Sequence, residues 1–306
     1  MTKRIKKILL ATLLSLLLAA CIPTGARSIG VFTTDGRGKK VALSAPAQSI
    51  VTLSPPITEM LFAIGAGDAV IARDSFSDYP SEALGLPDIG GGFAEYDLET
   101  IVSLQPDLVI AGAINTPELI QSLEDLELTV FYLDNPADME GTFDALRTLG
   151  ELSGRQTEAN TLIINLEARV KAVDEALENN TDRPVVYYEL DATDPAAPYT
   201  GGSGSFYSAM LRRAGAENVG DALDLEWAQI SLETLLLADP DFILLGDAMW
   251  GITPESVAER PGWDALSAVK GSRVLPFDDN LIARVGPRQV DGLEALVKIF
   301  HPDLFD

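Results

Sequence analysis

The chain has 306 residues, of which 47 % are hydrophobic, so it can hold one to three domains with sizeable cores. A formal charge of -24 at pH 7 excludes a phosphate backbone as partner, and no nucleic-acid binding is expected. Cys21 is the only cysteine and His301 the only histidine, which excludes an internal disulfide, a multi-imidazole metal site and any histidine-dependent triad not built on His301.

Residues 1–20, MTKRIKKILLATLLSLLLAA, place Lys3, Arg4, Lys6 and Lys7 before an apolar run from Ile8 to Ala20. A basic region before a short apolar core predicts a secretory signal peptide rather than a spanning helix. The closing Leu18-Ala19-Ala20-Cys21 resembles a bacterial lipobox, which implies a diacylglyceryl group on Cys21 and a chain anchored on the extracytoplasmic face of a membrane, periplasmic or cell-surface. Cleavage there removes four positive charges and takes the formal balance to -28. Residues 21–45 then read as a lipid-anchored tether and a hairpin, with Ile29 to Thr34 and Lys39 to Leu43 flanking the turn signal Asp35-Gly36-Arg37-Gly38.

Residues 46–154 read as an α/β lobe. Strand-like runs are predicted at Ser49 to Leu53, Val70 to Ala72, Leu108 to Ala111 and Thr129 to Leu133, with helices from Ser54 to Ile64, Asp97 to Leu104 and Pro117 to Leu126. Such alternation argues for a parallel sheet covered on both faces. Residues 155–179 carry Ala159, Ile163, Leu166, Val170, Val173 and Leu177 four and three apart without Gly or Pro, the stripe of one helix roughly 37 Å long. Residues 180–306 restart the rhythm as a second α/β lobe, with strands at Val185 to Leu190, Phe242 to Leu245 and Arg273 to Phe277 and helices at Ser205 to Arg213, Leu232 to Ala238 and Val290 to Phe300.

The second lobe also repeats residues of the first. Leu98-Glu-Thr-Ile-Val-Ser-Leu-Gln-Pro-Asp-Leu-Val-Ile-Ala-Gly112 aligns without gaps on Leu232-Glu-Thr-Leu-Leu-Leu-Ala-Asp-Pro-Asp-Phe-Ile-Leu-Leu-Gly246 at an offset of 134, and Phe93-Ala94 sits opposite Trp227-Ala228. The pattern argues for two Rossmann-like lobes with mostly parallel sheets, related by duplication and joined by one backbone helix. Ligands of open α/β sheets bind beyond the carboxyl ends of the strands, where loops would present Tyr79, Phe93, Phe206, Trp227 and Trp250. Flat aromatic rings there suit a broad rigid ligand. Glu99 and Glu233 form a second matched pair: each complements a helix N-terminus, and together they suit a two-fold partner carrying arginines.

Ser54-Pro-Pro-Ile-Thr-Glu-Met-Leu-Phe-Ala-Ile-Gly-Ala-Gly67, Ser77-Asp-Tyr-Pro80 and Leu98 to Ala111 are similar to motifs of the substrate-binding lipoproteins of ABC importers for cobalamin, ferric siderophores and haem, periplasmic binding proteins with a helical backbone. The resemblance covers nearly everything after residue 45. It implies a monomeric, non-enzymatic transport component that delivers a corrinoid or ferric chelate to a dimeric permease with its ATPase subunits, without an intrinsic cofactor or metal. By the same resemblance Glu99 and Glu233 dock on permease arginines, Tyr79, Phe93, Phe206 and Trp227 are aromatic cleft positions, and Arg284 and Arg288 are basic cleft residues. Gly112 stands where the cobalamin branch can carry an aromatic and Asn280 where it can carry an acid, which implies a roomier cleft or another ligand. A haem-binding relative would need an axial ligand such as Tyr79. A nitrogenase-like oxidoreductase would need cysteines that are missing, and Gly201-Gly-Ser203-Gly-Ser205 falls one residue short of a hydrolase elbow. A single helix between the lobes predicts only a small hinge closure on binding.

Overall fold

The computed structural model describes residues 30–304. The expected signal peptide, Cys21 and the tether therefore lie outside the described residues. Strands β1 (Val31–Thr34) and β2 (Lys40–Leu43) pair antiparallel around the predicted turn. The turn is locked from within: the Asp35 carboxylate accepts from the backbone N–H of Arg37 at 3.0 Å and of Lys39 at 2.8 Å.

Two four-stranded sheets follow, all parallel. The first holds β3 (Ile50–Thr52), β4 (Val70–Arg73), β5 (Leu108–Ala111) and β6 (Val130–Tyr132), in the spatial order β4-β3-β5-β6. The helices between them are α1 (Pro55–Ala63), α2 (Leu98–Ser103) and α3 (Pro117–Asp125). Next come α4 (Met139–Ser153) and α5 (Gln156–Leu177). The second half contains β7 (Val185–Glu189), β8 (Tyr199–Gly201), α6 (Phe206–Arg213), β9 (Glu217–Asn218), β10 (Trp227–Gln229), α7 (Leu232–Ala238) and β11 (Phe242–Leu245). It ends with α8 (Pro254–Ala258), α9 (Ser267–Lys270), β12 (Val274–Pro276), α10 (Asn280–Ala283) and α11 (Gln289–Phe300). Its parallel sheet runs β9-β7-β11-β12. In each sheet the first strand lies between the second and third, so the two lobes share one topology.

The duplication extends to local chemistry. Asp107 accepts from the N–H of Gln48 at 2.8 Å and of Ser49 at 3.0 Å, and its counterpart Asp241 accepts from the Val185 N–H at 2.9 Å. Each therefore pins the start of its lobe's central strand to the neighbouring strand. Gln105 and Asp239, also at the same offset, both adopt positive φ, 48° and 39°, to leave the preceding helix before the Pro-Asp step.

Strands of each sheet alternate between two cores. Leu108 and Ile110 face a core shared by both lobes, while Val109 and Ala111 face one private to the first lobe. In the second lobe Val186 and Tyr188 face the shared core and Tyr187 a private one. Parallel strands buried on both faces explain these nearly continuous apolar runs. The shared core is threaded by α5, whose buried residues are Ala159, Ile163, Leu166, Val170, Val173 and Leu177, the stripe that the spacing predicts.

One predicted feature is incomplete. Helix α4 was not expected from sequence, yet it packs beside α5 through a tight corner: Gly154 takes φ 72°, and a Cβ at Gly150 would meet the Ala159 Cβ at 2.8 Å. The connection is thus a helical hairpin rather than a lone strut. Polar contacts reinforce it. Arg169 of α5 forks onto Glu294 of α11 at 2.9 and 2.7 Å, and Arg213 of α6 reaches both Asp174 of α5 at 3.0 Å and Glu140 of α4 at 2.8 Å. Because the lobes share a core, Leu166→Ala should destabilise the whole chain by about 2–5 kcal/mol in one cooperative transition. Denaturant unfolding followed by tryptophan emission and far-UV dichroism checks this, and two separated transitions would contradict it.

Candidate functional site

The first lobe contributes the loop after β4. A buried chain of hydroxyls fixes it: Thr52 and Thr58 Oγ1 lie 2.7 Å apart, Thr58 Oγ1 and Ser77 Oγ 2.8 Å apart, and Ser77 donates to Asp74. Burial raises the Asp74 carboxyl above its usual range, against the pull of the Ser77 hydroxyl. The loop so held presents Phe76, Asp78 and Tyr79. Gly90, Gly91 and Gly92 all take positive φ, 83°, 92° and 68°, and fold Phe93 onto Phe76 edge to face at 5.3 Å. Gly92 also needs to be glycine for space, since a Cβ there would lie 1.9 Å from the Phe76 ring.

Phe76 and Phe93 border a cavity of about 670 Å³ that includes Tyr96, Ile114, Leu119, Asn115 and Glu95. Among the described residues all of its lining belongs to the first lobe, beyond the carboxyl ends of β4 and β5, and contains no Lys or Arg. Asn115 organises its back wall, donating to the Tyr96 hydroxyl at 2.8 Å while its Oδ1 accepts from the Gly112 N–H at 2.8 Å. Burial, then the charge of Asp74, pushes the Tyr96 hydroxyl up to about 12, so it stays protonated and donates to the Leu53 carbonyl at 3.0 Å. Gly112, with Ile57 and Ser54 at 3.2 Å from where a Cβ would stand, has a neighbour on that side rather than open space.

The second lobe brings its rings together differently. Trp227 packs edge to face on Tyr207 at 5.6 Å, and Phe206 meets Tyr207 at 6.4 Å. Trp227 is not in a loop equivalent to that of Phe93, as the sequence suggests, but begins β10, which pairs with β8. Edge pairing, set by tertiary contact, overrides the local similarity. Trp250 ends the turn after β11, is 75 % exposed, and makes no ring contact among the described residues. Phe93 is 97 % exposed and Trp227 57 %, so both lobes offer aromatic surface to solvent.

Between these groups lies a charged seam that joins the lobes. Glu59 of α1, buried, accepts from Arg288 at 2.9 and 2.7 Å and from Arg284 at 3.1 Å. Arg284 also bonds Asp78, whose carboxyl is held below its usual value first by that hydrogen bond. Tyr79 lies on the Arg288 guanidinium at 4.0 Å from its ring centroid. Two arginines of the second lobe are therefore committed to two carboxylates of the first. Asn280 turns onto its own segment, with its backbone N–H and Nδ2 on Asp278 at 3.1 and 3.0 Å.

Glu99 and Glu233 are exposed and occupy the second position of α2 and α7. Asp97 caps the first helix through the Thr100 N–H at 2.9 Å, and Ser231 the second through the Thr234 N–H at 3.1 Å. Neither glutamate forms an ion pair among the described residues. His301 joins none of the contacts above: it is buried at the end of α11 with Nδ1 2.9 Å from Asn180 Nδ2.

Sequence reasoning missed Glu59, Phe76 and Asp279. The Gly90-Gly91-Gly92 run is a turn signal next to Phe93 that could have been read, but nothing local signals the contact of Phe93 with Phe76, nor that Glu59 meets arginines more than two hundred residues away. The second lobe also holds a buried pair, Arg260 on Glu189 at 2.6 and 2.8 Å, with Asp247 beside it. Burial and then the Glu189 charge push the Asp247 carboxyl up to about 7.

Two parallel-sheet lobes on a helical connection, with aromatic and charged groups gathered at the seam, define a two-lobed binding protein. The profile of the family described as "Periplasmic binding protein" matches residues 50–281, and the chain belongs to that family. It is a non-enzymatic substrate-binding component of an ABC transporter. It is 29 % identical over 276 residues to the ABC transporter substrate-binding lipoprotein YvrC of Bacillus subtilis, covering 89 % of this chain and 85 % of that one. A cobalamin-binding protein of Halobacterium salinarum is 26 % identical over 281 residues, 90 % of this chain and 75 % of its own length. Among solved structures, an ABC-type Fe3+-hydroxamate transport system protein from Saccharomonospora viridis matches with a TM-score of 0.70 and 26 % identity over 89 % of this chain and 99 % of that one.

Removing one partner of the buried seam should cost about 3–5 kcal/mol, because two guanidiniums would face only Asp78. Glu59→Gln is therefore expected to lower stability by that amount and to increase the radius of gyration in solution scattering. Unchanged stability would show that the seam does not hold the lobes.

Proposed function

We propose that this protein captures a corrinoid of low net charge between its lobes on the extracytoplasmic side and delivers it to a dimeric permease, with a ferric hydroxamate as the next candidate. The observation that carries the ligand class is charge. Arg284 and Arg288 are already neutralised by Glu59 and Asp78, and the aromatic cavity is lined without any cation. Haem propionates or a ferric catecholate would bring negative charge to a seam without a free counter-ion, at a desolvation cost. A corrinoid rimmed by amides, or the uncharged core of a ferric tris-hydroxamate, brings none. The relatives named for cobalamin and for Fe3+-hydroxamate are compatible with these two classes, as a haem-binding one is with haem, so the charge argument alone separates them.

In this reading Tyr79, Phe93, Phe206, Trp227 and Trp250 offer flat contact area, while Asn280, Arg284 and Arg288 border the ligand as polar groups. Cys21 carries the lipid anchor, supported by the Leu18 to Cys21 motif and by the lipoprotein relative. Glu99 and Glu233, exposed and without ion-pair partners among the described residues, are the docking carboxylates.

Two measurements test the proposal. Tryptophan quenching against cobalamin, cobinamide, haem, a ferric hydroxamate and a ferric catecholate should give saturable binding for the corrinoids. A Soret band developing with haem, without corrinoid binding, would overturn the ligand class. Glu99→Lys combined with Glu233→Lys should abolish uptake in cells while ligand affinity stays unchanged; lost affinity would overturn the docking role.

A further inference from the structure

The second lobe places one carboxylate in an unusual setting. Asp279 follows β12 and precedes α10, so it stands beyond the carboxyl end of a sheet strand, on the segment whose other end carries Arg284 to the seam. Its Oδ1 accepts from the Tyr188 hydroxyl and from the Tyr207 hydroxyl, each at 2.9 Å. Those tyrosines come from different elements, β7 and α6, and their rings pack 4.9 Å apart. Burial and then the Asp279 charge hold both hydroxyls far above their usual pKa, so both remain donors. The carboxylate is thereby fixed in one orientation.

Its Oδ2 takes no hydrogen bond among the described residues, and the residue is only partly buried. Tyr207, which orients it, is also the ring on which Trp227 rests. A rigid acceptor with a spare oxygen therefore sits one side chain away from an exposed aromatic surface. No guanidinium or ammonium pairs with it among the described residues; the other ionisable group beside it is Asp278, whose carboxylate is occupied by Asn280.

We infer that Asp279 is the specificity-determining acceptor of this half of the cleft, with Tyr188 and Tyr207 as its positioning residues. It selects ligands whose rim presents N–H donors and rejects ligands whose rim presents carboxylates. The inference rests on the corrinoid reading above and sharpens it, because the class it selects is the amide-rimmed one. A fixed anion gains from a donor a charge-assisted hydrogen bond and imposes on a facing carboxylate a like-charge repulsion. Neither effect needs movement of the protein, since two hydroxyls already hold the acceptor in place.

The test compares dicyanocobinamide, whose rim bears primary amides, with cobyrinic acid, whose rim bears carboxylates, by fluorescence titration of the full-length mature protein at pH 7.5. Wild type should bind the amide ligand and discriminate against the acid. Asp279→Asn keeps an oxygen for both tyrosines but loses the charge. It should weaken the amide ligand about tenfold, strengthen the acid, and leave the thermal midpoint without a large loss. Tyr207→Phe keeps the charge but removes one orienting hydroxyl, and should weaken the amide ligand less while retaining discrimination against the acid. Lowering the pH should weaken amide binding in wild type as Asp279 protonates, and should not do so in Asp279→Asn. Unchanged affinities in Asp279→Asn, or an equal loss for both ligands, would overturn the assignment while leaving the corrinoid reading in place. Wild type that binds neither corrinoid would overturn both.

Discussion

The structure depends on one apolar stripe. Ala159, Ile163, Leu166, Val170, Val173 and Leu177 of the long helix belong to a single core that also includes Ile50, Leu108 and Phe131 of the first lobe and Val186, Tyr188 and Leu244 of the second. Moving one lobe against the other would disrupt close packing on both sides of this helix, and a packed core resists continuous deformation. From this packing we expect the two outer surfaces to keep nearly constant spacing on binding, the small hinge closure that the helix between the lobes predicts. Glu99 and Glu233, held at equivalent points of α2 and α7, inherit that spacing without any contact between them.

A second constraint acts across the cleft itself. Glu59 is buried, and the cost of its charge is offset only because Arg288 grips it with two nitrogens and Arg284 with a third. Under the proposed reading the same pairing removes two positive charges from the ligand's surroundings. In that reading structural cohesion and ligand selection are linked: the arginines that bind the lobes together are the ones that would otherwise attract an anionic ligand. On the proposed reading, what remains for recognition is aromatic area, the amide and hydroxyl groups around Tyr96 and Asn115, and acidic oxygen atoms.

The lobes show where duplication is kept and where it is lost. Sheet order, the Pro-Asp step, its preceding positive-φ residue and the capped helix carrying a glutamate recur in both. These features serve the scaffold and the outer surface. The inner surfaces differ: the first lobe builds its aromatic wall on a glycine turn and a hydroxyl chain, the second on a strand pair and a tyrosine-held aspartate. A ligand bound between them, as proposed, would meet two unlike faces, which suits an asymmetric molecule more than a symmetric one.

Local periodicity was enough to define much of this protein. The α5 stripe, the apolar runs of β5 and β11, and the repeat around Glu99 and Glu233 are patterns within single segments, where burial on one or two faces imposes a spacing on the residues themselves. Helix α4 was less legible because Gly141, Thr142, Thr148 and Gly150 dilute its pattern, and the role of Gly150 is a close approach to another helix. Trp227 lay in a recognisable repeat, yet its strand conformation depends on pairing with Tyr199–Gly201. The pairing of Arg284 and Arg288 with Glu59, and of Asp279 with Tyr188 and Tyr207, has no local signature at all. The sequence alone therefore determined the long helix, the main strands of both parallel sheets, the duplication and the matched glutamates, since these follow from short-range spacing and capping. Only the tertiary structure decided which charges cancel and which remain to meet a ligand, because that depends on groups brought together from distant parts of the chain.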